Sequence, residues 1–261
     1  MQQLINCAKL KGVVLAVGLP DLHPGKGFPI GSAIITEGVF YPHLVGEDIG
    51  CGMSLVKTGI GITKQKAEKW YKQILGIEGR AGIELEKYAE KTPFEWPKGN
   101  LIPPVEDLED AVAGRFGTVG RGNHFVEIQE VFQVINEELF KQLNMDQNQL
   151  YMVIHSGSRN YGEQIYGAHT KEHGIKPIND NSSEAIKYLE GHNKALAYAR
   201  RSRAIIAYRI LSQIENIDTS WMNEACIVDI HHNFVERIED SKFIHRKGAT
   251  PGNKGIVIIP G

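Results

Sequence analysis

A short run near the amino end, VGEDIGCGMSL, places Asp48 three residues before Cys51, and a glycine stands on each side of the cysteine. Histidines recur in NHFVEI, MVIHSGSR and CIVDIHHN, each beside a short apolar run. A carboxylate, a thiolate and imidazoles bind first-row divalent metal ions, and one thiolate can bridge two ions. The residue types therefore predict a metal site built from Asp48, Cys51, His124, His155 and one of His231 and His232.

Spacing along the chain gives this metal site only partial support. None of these histidines is four residues from another, the spacing of two zinc ligands on one helix, and there is no Cys-x-x-Cys pair. A histidine in a strand is also common as a hydrogen-bonded core residue. Cys51 has a further use as a nucleophile with a histidine as its base, so ligand, nucleophile and core roles stay open.

The adjacent pair His231 and His232 follows the apolar run CIVDI. Successive side chains of a strand point to opposite faces, so only one of the two can enter a site on one side. We favour His232, because the amide of Asn233 beside it can donate to a nucleotide or a phosphate.

Three other segments suit an anion. HSGSR places hydroxyl groups and Arg159 beside His155, and HRKGAT places Arg246 and Lys247 in a predicted turn. GTVGRGNHF resembles a phosphate-binding glycine loop, but it leads into a predicted strand and not into a helix, which weakens that interpretation. Solvation at the surface is the alternative role for the charged residues of HRKGAT.

The elements that must position these side chains are predicted from apolar periodicity. Strands are expected within 12–20, 31–42, 52–59, 150–156, 225–238, 242–248 and 254–261, and a glycine-rich turn enters another strand after 124. The stretch 20–31 is too rich in Gly and Pro for a regular element, and 91–104 is expected to be a loop. Helices are expected over 63–75, 105–113, 137–143 and 183–215. Polar groups at strand ends would then converge on one pocket.

The longest predicted helix carries a basic cluster in YARRSRAIIAYR. Its arginines, at positions 200, 201, 203 and 209, are expected to form a solvated face, with a phosphate-facing patch as the alternative.

Composition limits the classes of protein. The 261 residues can form a core without disulfides, and we expect one mixed α+β domain over residues 1–261. A formal net charge of -2 gives no global attraction to a polyanion, so contact with nucleic acid needs a local basic patch. No apolar run approaches the roughly 20 residues of a membrane span. Three widely spaced cysteines and the absence of a signal peptide at Met1 favour a reducing, cytoplasmic setting.

Taken in order, six segments resemble the signature motifs of the RtcB RNA ligases: PDLHPGKGFPIG, GEDIGCGM, GTVGRGNHFVEI, HSGSRNYG, HHN and HRKGAT. The resemblance covers about residues 18–261. It implies an RtcB-like α+β fold with mixed or antiparallel sheets flanked by helices. It also implies a ligase, dependent on Mn²⁺ and GTP, that joins RNA 3′-phosphate or 2′,3′-cyclic phosphate ends to 5′-hydroxyl ends in tRNA splicing or RNA repair.

The resemblance also assigns residues. The ligands of two Mn²⁺ ions, with the Cys51 thiolate shared, would be Asp48, Cys51, His124, His155 and His232. The guanine nucleotide would contact Asn123, His124, Phe125, Val126, Glu127, His232, Asn233, Pro260 and Gly261. Further phosphate or RNA contacts are expected at Asp21, Lys26, Ser158, Arg159, Arg246 and Lys247.

The sequence departs from the family pattern at three places. HHN stands where the family has A-H-N, and Lys26 stands where an aromatic residue is common. In the family a later H-G-A-G-R segment carries the histidine that becomes guanylated, and no histidine here matches it, so the domain is expected to be incomplete at its carboxyl end. Two alternatives follow: a metal-dependent phosphoesterase that opens cyclic phosphates, or an RNA-end-binding ligase subunit that complements a separate carboxyl-terminal chain.

Overall fold

The fold is known from a computed structural model, which describes residues 1–62, 67–74, 94–99, 101–102, 115–214 and 222–259. Every described strand pair is antiparallel. The first four-stranded sheet has the order β1 (Val13–His23), β2 (Ile30–Glu37), β12 (Lys242–Lys247) and β11 (Phe234–Glu239). The second has the order β10 (Cys226–His231), β4 (Gly52–Gly61), β8 (Gln149–Ser156) and β7 (Phe125–Glu130).

Two short pairs accompany these sheets. They join β3 (Val39–Phe40) to β9 (Ile178–Asn179) and β5 (Phe94–Glu95) to β6 (Leu101–Ile102). The described helices are α1 (Gln2–Cys7), α2 (Ala67–Ile74), α3 (Glu137–Gln142), α4 (Asn160–His173), α5 (Ser183–Ile214) and α6 (Met222–Ala225), with a 3₁₀ helix at Pro42–Leu44. This architecture confirms the predicted α+β class.

Helix α5 forms the centre of the core. Its start is capped by the hydroxyl of Ser182, which accepts from the backbone N–H of Ala185 at 3.1 Å. Further along, Ile206 and Ile210 are buried with Met152 and Ile154 of β8 in the largest apolar cluster. Because the helix is buried against the second sheet, its position fixes the ends of the strands that it covers.

Several predicted elements are confirmed and three are wrong in part. The helices predicted over 137–143 and 183–215 are found as α3 and α5, and α2 lies within 63–75; the helix predicted over 105–113 lies outside the described residues. The loop predicted over 91–104 is wrong at 94–95 and 101–102, because β5 and β6 pair there, and 91–93, 100, 103 and 104 lie outside the described residues. The predicted irregular stretch 20–31 is wrong at its start, because β1 continues through His23 with a shift of register. The predicted strand over 254–261 is wrong for 254–259, where turns and bends lie; the backbone N–H of Lys254 donates back to Pro251.

Helices α1 and α4 were not expected. The segment 160–173 follows HSGSR, and its many polar residues resemble a loop when read without the partner helix α5. Among the described residues, no helix has the length and apolar character needed to cross a membrane.

Candidate metal centre

The register of the second sheet brings four separate segments to one place. Gly52 of β4 pairs with Ser156 of β8 on one side and with His231 of β10 on the other. His155 pairs with Phe125, the first residue of β7. The residues next to these partners in sequence are Cys51, His232 and His124, so the antiparallel ladders gather the predicted set at one end of the sheet.

The thiol of Cys51 lies at the centre of this cluster. Its Sγ is 3.3 Å from Nε2 of His124 and 3.2 Å from Nε2 of His155. Nε2 of His155 is in turn 3.2 Å from Nε2 of His232, and Nε2 of His124 is 2.9 Å from Oδ2 of Asp48. All five predicted ligands therefore belong to one cluster, of which Cys51, His124 and His155 form the tightest group.

His155 is held as a neutral imidazole with one free lone pair. Burial, with a smaller effect of His124, lowers its pKa to about 4. Its Nδ1 is 2.9 Å from the backbone carbonyl of Asn123, which can only accept, so Nδ1 carries the proton. Nε2 then presents a lone pair to Cys51 and His232, the arrangement of a metal-binding histidine whose other nitrogen is fixed by a carbonyl.

His232 has the same character. Burial, and then the neighbouring His155, lower its pKa to about 3, so it is neutral at physiological pH. As strand alternation predicts, the adjacent His231 points elsewhere: its Nδ1 is 2.9 Å from the carbonyl of Gly50. The two Nε2 atoms, 3.2 Å apart, either share one N–H···N hydrogen bond or present two lone pairs to a cation.

The two acidic groups of the cluster are shifted in opposite directions. Burial alone would raise the pKa of Asp48, but the hydrogen bond with His124, with smaller effects of Cys51 and Arg159, outweighs it and lowers that pKa. Burial, together with the Asp48 charge, raises the pKa of the Cys51 thiol well above its usual value. Cys51 is therefore a thiol at neutral pH unless a bound cation displaces its proton. A nucleophilic thiolate needs the opposite shift, so this environment does not favour the nucleophile hypothesis.

His124 connects the cluster to Arg159. Nη1 of Arg159 lies 2.9 Å from Nδ1 of His124, and because a guanidinium can only donate, Nδ1 accepts. Nε2 of His124 then carries a hydrogen that it donates to Asp48. Arg159 is also the residue before α4 and has a positive φ of 55°, a conformation that directs its side chain to the cluster.

Two glycines are required by this packing. A Cβ on Gly157 would overlap Oδ1 of Asp48, and a Cβ on Gly120 would overlap the guanidinium of Arg159. Gly120 also has a φ of 109°, which side chains rarely adopt. Gly120 of GTVG and Gly157 of HSGS thus allow their loops to approach the cluster closely. The sequence had instead suggested a phosphate-binding loop at GTVGRGNHF.

Sequence reasoning missed the group that holds the strand ends together, Arg203. Its Nη1 donates to the carbonyls of Gly50 at 3.0 Å and Ser156 at 2.8 Å. Arg201, Arg203 and Arg209 are buried, so both the solvated face and the phosphate-facing patch are wrong for these three arginines. Two features could have indicated this role: the arginines lie in a largely apolar helix, and β10 contains a buried acid, Asp229.

A cavity of about 360 Å³ opens beside the cluster. Of the predicted contacts, those that line it are Asp48, Cys51, His232, Asn123, Asn233, Lys26 and Lys247. Lys247 is half-buried, and burial lowers its pKa. Lys26 is exposed, with Nζ 3.9 Å from Glu47. Tyr166, which sequence reasoning did not select, also lines this cavity.

The other predicted contacts lie outside this lining. Ser158 is fully buried, and its hydroxyl donates to the carbonyl of Ile49, so it is not placed to contact a phosphate. Arg246 lies over the ring of Phe234, with its Cζ 5.9 Å from the ring centroid. Asp21 lies in β1, and Phe125, Val126 and Glu127 lie in β7; these four residues do not line the cavity. Pro260 and Gly261 lie outside the described residues.

Asn233 has a structural role in the same region. Its Nδ2 donates to the carbonyl of Asp48 at 3.1 Å, and its Oδ1 accepts from the backbone N–H of Gly248 at 2.7 Å. The side chain thus fixes the turn that carries Asp48 and Cys51 and joins it to the end of β12. Its contact with a nucleotide stays a prediction.

A second group of metal-binding side chains lies elsewhere. His169 and His173 of α4 and Glu184 of α5 each offer a ligand atom within 4.8 Å of the others. The spacing of four residues between the two histidines was readable in AHTKEH, but no helix was predicted over this segment.

Comparison with known proteins identifies similar sequences. A sequence model of one family, described as tRNA-splicing ligase RtcB, matches residues 3–92 and 104–261. The RNA-splicing ligase RtcB2 of Escherichia coli is 39% identical over 264 residues, which cover 100% of this chain and 65% of that protein.

Two archaeal relatives are more distant. The tRNA-splicing ligase RtcB of Thermococcus kodakarensis is 28% identical over 312 residues, which cover 96% of this chain and 64% of that protein. That of Archaeoglobus fulgidus is 28% identical over 337 residues, which cover 100% of this chain and 70% of the relative. The chain thus spans about two thirds of the length of these relatives.

Proposed function

The chain belongs to the RtcB family, and from that premise we propose that it acts as an RNA ligase dependent on Mn²⁺ and GTP. Its substrates are RNA 3′-phosphate or 2′,3′-cyclic phosphate ends and RNA 5′-hydroxyl ends, formed in tRNA splicing or RNA damage. The observation that carries this proposal is the convergence of Cys51, Asp48 and three histidines beside a cavity lined by two lysines.

The donor set fits a metal centre. Nε2 of His155 lies 3.2 Å from both the buried thiol of Cys51 and Nε2 of His232, and Asp48 is the nearby carboxylate. Their chemistry alone would also suit zinc, so the choice of two Mn²⁺ ions rests on the family. Bound there, these ions would act as Lewis acids on phosphoryl oxygens.

The residues of the chain supply the surroundings of the reacting phosphate. Lys26 and Lys247 line the cavity beside Glu47 and Asp48, and their ammonium groups can donate to a phosphate of a nucleotide or an RNA end. Asn123 and Asn233 line the same cavity, which supports their assignment to the guanine nucleotide together with His124, His232 and the β7 residues 125–127. Arg159, fixed on His124, is available to donate to a phosphate oxygen from the far side of the cluster.

The proposed location is the cytoplasm. The three cysteines are all buried and free of disulfides, which supports a reducing compartment.

The test is a joining assay with the chain itself. The chain is incubated with Mn²⁺, GTP, an RNA bearing a 2′,3′-cyclic phosphate and a second RNA bearing a 5′-hydroxyl. Joined RNA that requires both Mn²⁺ and GTP, and that is lost in Cys51→Ala, is the expected result. If the chain binds Mn²⁺ but gives no joined product, ligation by this chain is contradicted.

The same assay separates the alternatives, which matter because the chain covers 65% of the E. coli relative. Conversion of the cyclic end to a 3′-phosphate without GTP would indicate a phosphoesterase. If joining and labelling by radioactive GTP arise only after a second chain is added, carrying the remaining part of that relative, the protein is an RNA-end-binding ligase subunit.

A further inference from the structure

A second cluster of ligating side chains lies where the end of α4 meets the start of α5. His169 and His173 are four residues apart on α4, so they lie on the same face of the helix. Their rings stack, with centroids 5.1 Å apart and planes inclined by 29°. Glu184, in the first turn of α5, faces both rings.

One carboxylate oxygen serves both histidines. Oε1 of Glu184 is 3.3 Å from Nδ1 of His169 and 3.4 Å from Nε2 of His173. Ligand atoms of a tetrahedral zinc ion, held at about 2.1 Å, are separated from one another by about 3.4 Å. The separations in this cluster therefore match two edges of such a tetrahedron.

A cavity of about 240 Å³ adjoins the cluster and contains polar atoms without partners. Nε2 of His169 and the hydroxyl of Tyr188 are buried, line this cavity and have no hydrogen-bond partner in the described part of the chain. Both side chains are more than nine-tenths buried. The nitrogen of His169 that faces Glu184 is Nδ1, so Nε2 lies at the other edge of the ring. Water in the cavity would offer Nε2 and the Tyr188 hydroxyl a partner, and an apolar occupant would not.

The charges near the cluster agree with a cation. Glu184 directs one carboxylate oxygen to both imidazoles. Glu172 adds a second carboxylate, with Oε1 3.5 Å from Nε2 of His173. Lys187 also lines the cavity, but it is exposed, so its ammonium can remain in water.

We propose that His169, His173 and Glu184 bind a divalent cation of the zinc class, with Glu172 or water as the fourth ligand. Two imidazoles and a carboxylate select Zn²⁺, Co²⁺ or Ni²⁺ over the oxygen-bound Mg²⁺ and Ca²⁺. The site fastens the end of α4 to the start of α5. Since His169 lies ten residues after Arg159, or about 15 Å along α4, this site is separate from the Cys51 cluster.

The test must separate the two clusters, so it uses Cys51→Ala as the background. Zn²⁺ bound to the purified chain is measured by equilibrium dialysis and by competition with a chromogenic chelator. In this background, His173→Ala and Glu184→Gln are expected to weaken Zn²⁺ binding by about 100-fold or more, because each removes a ligand. His23→Ala, which removes an exposed imidazole elsewhere, should leave Zn²⁺ binding unchanged.

Co²⁺ supplies a second readout that folding alone does not change. The Cys51→Ala chain should show the visible bands of tetrahedral Co²⁺ without a thiolate charge-transfer band, and His173→Ala should abolish them. Circular dichroism checks that each variant is folded. Equal Zn²⁺ affinity in Cys51→Ala with and without His173→Ala would overturn the proposal, as would an equal loss of affinity in His23→Ala.

Discussion

The guanidinium of Arg203 donates to both carboxylate oxygens of Asp229, with Nε 2.8 Å from Oδ2 and Nη2 2.7 Å from Oδ1. Both side chains are fully buried. Burial alone would raise the pKa of Asp229, but the charge and hydrogen bonds of Arg203 lower it to about 2. The pair is thus ionised, and the remaining nitrogen of Arg203 is free to hold Gly50 and Ser156 beside the Cys51 cluster.

Arg203→Met should lower the free energy of unfolding by about 3–5 kcal/mol, because it leaves a buried carboxylate without its main partner. The measurement is urea unfolding of the metal-free chain. Arg237→Met is the matched control: Arg237 is exposed over the ring of Phe243, and its loss should cost about 1 kcal/mol or less. Equal losses in the two variants would show that the buried pair has no special role.

Cys51→Ala should abolish tight Mn²⁺ binding and leave the circular dichroism spectrum unchanged, since the thiol contacts both His124 and His155. Bound Mn²⁺ is followed by electron paramagnetic resonance of the free ion. Cys7→Ala removes another buried thiol, in the apolar cluster near α1, and should leave Mn²⁺ binding intact. Retention of two-ion binding by Cys51→Ala would refute the assignment of Cys51 as a shared ligand.

Gly157→Ala should weaken Mn²⁺ binding, because the added methyl group overlaps Oδ1 of Asp48 and displaces that carboxylate. Gly167→Ala is the comparison within helix α4, where a Cβ meets nothing within 4 Å. It should leave Mn²⁺ binding unchanged and raise the free energy of unfolding by about 0.5–1 kcal/mol. Calorimetric titration and urea unfolding measure the two effects. If Gly157→Ala and Gly167→Ala had the same effect on Mn²⁺ binding, the close approach of Gly157 to Asp48 would be contradicted.

Acid should destabilise the metal-free chain through its buried histidines. Burial lowers the pKa of His245 to about 4, and its Nε2 accepts from the backbone N–H of Tyr41 at 2.9 Å. The unfolded side chain has a pKa of about 6.5, so between about pH 6.5 and 4 the unfolded state binds the extra proton. The stability contributed by neutral His245 is therefore complete above about pH 6.5 and is lost as the pH falls to about 4.

The measurement is urea unfolding at a series of pH values in the presence of a chelator. His245→Gln should reduce the slope of the unfolding free energy against pH by up to about one bound proton. His192→Gln should do the same, because burial also lowers the pKa of His192 to about 4 and its Nε2 accepts from the N–H of Val235. An unchanged slope in both variants would exclude these two histidines as the source of acid sensitivity.

Residue chemistry predicted the ligand cluster around Cys51 better than it predicted the residues that hold this cluster in place. The union of Asp48, Cys51 and the histidines followed from ligand types, and strand alternation predicted that only one of His231 and His232 would join them; both are local properties. The role of Arg203 could not follow, because a buried arginine depends on an acid 26 residues away that the fold brings to it. His169 and His173 were missed for the same reason: their helix is recognisable only when it packs on α5.

The five side chains of the cluster come from positions 48, 51, 124, 155 and 232. They meet only after the long loops between them have closed and the strands of the second sheet have paired in the correct register. A register shift of one residue would turn His155 to the opposite face of the sheet. Contacts this distant in sequence form late and together in folding. The proposed metal binding at Cys51 would therefore report complete folding, and by mass action a bound ion would stabilise the fully folded chain over every partly folded form.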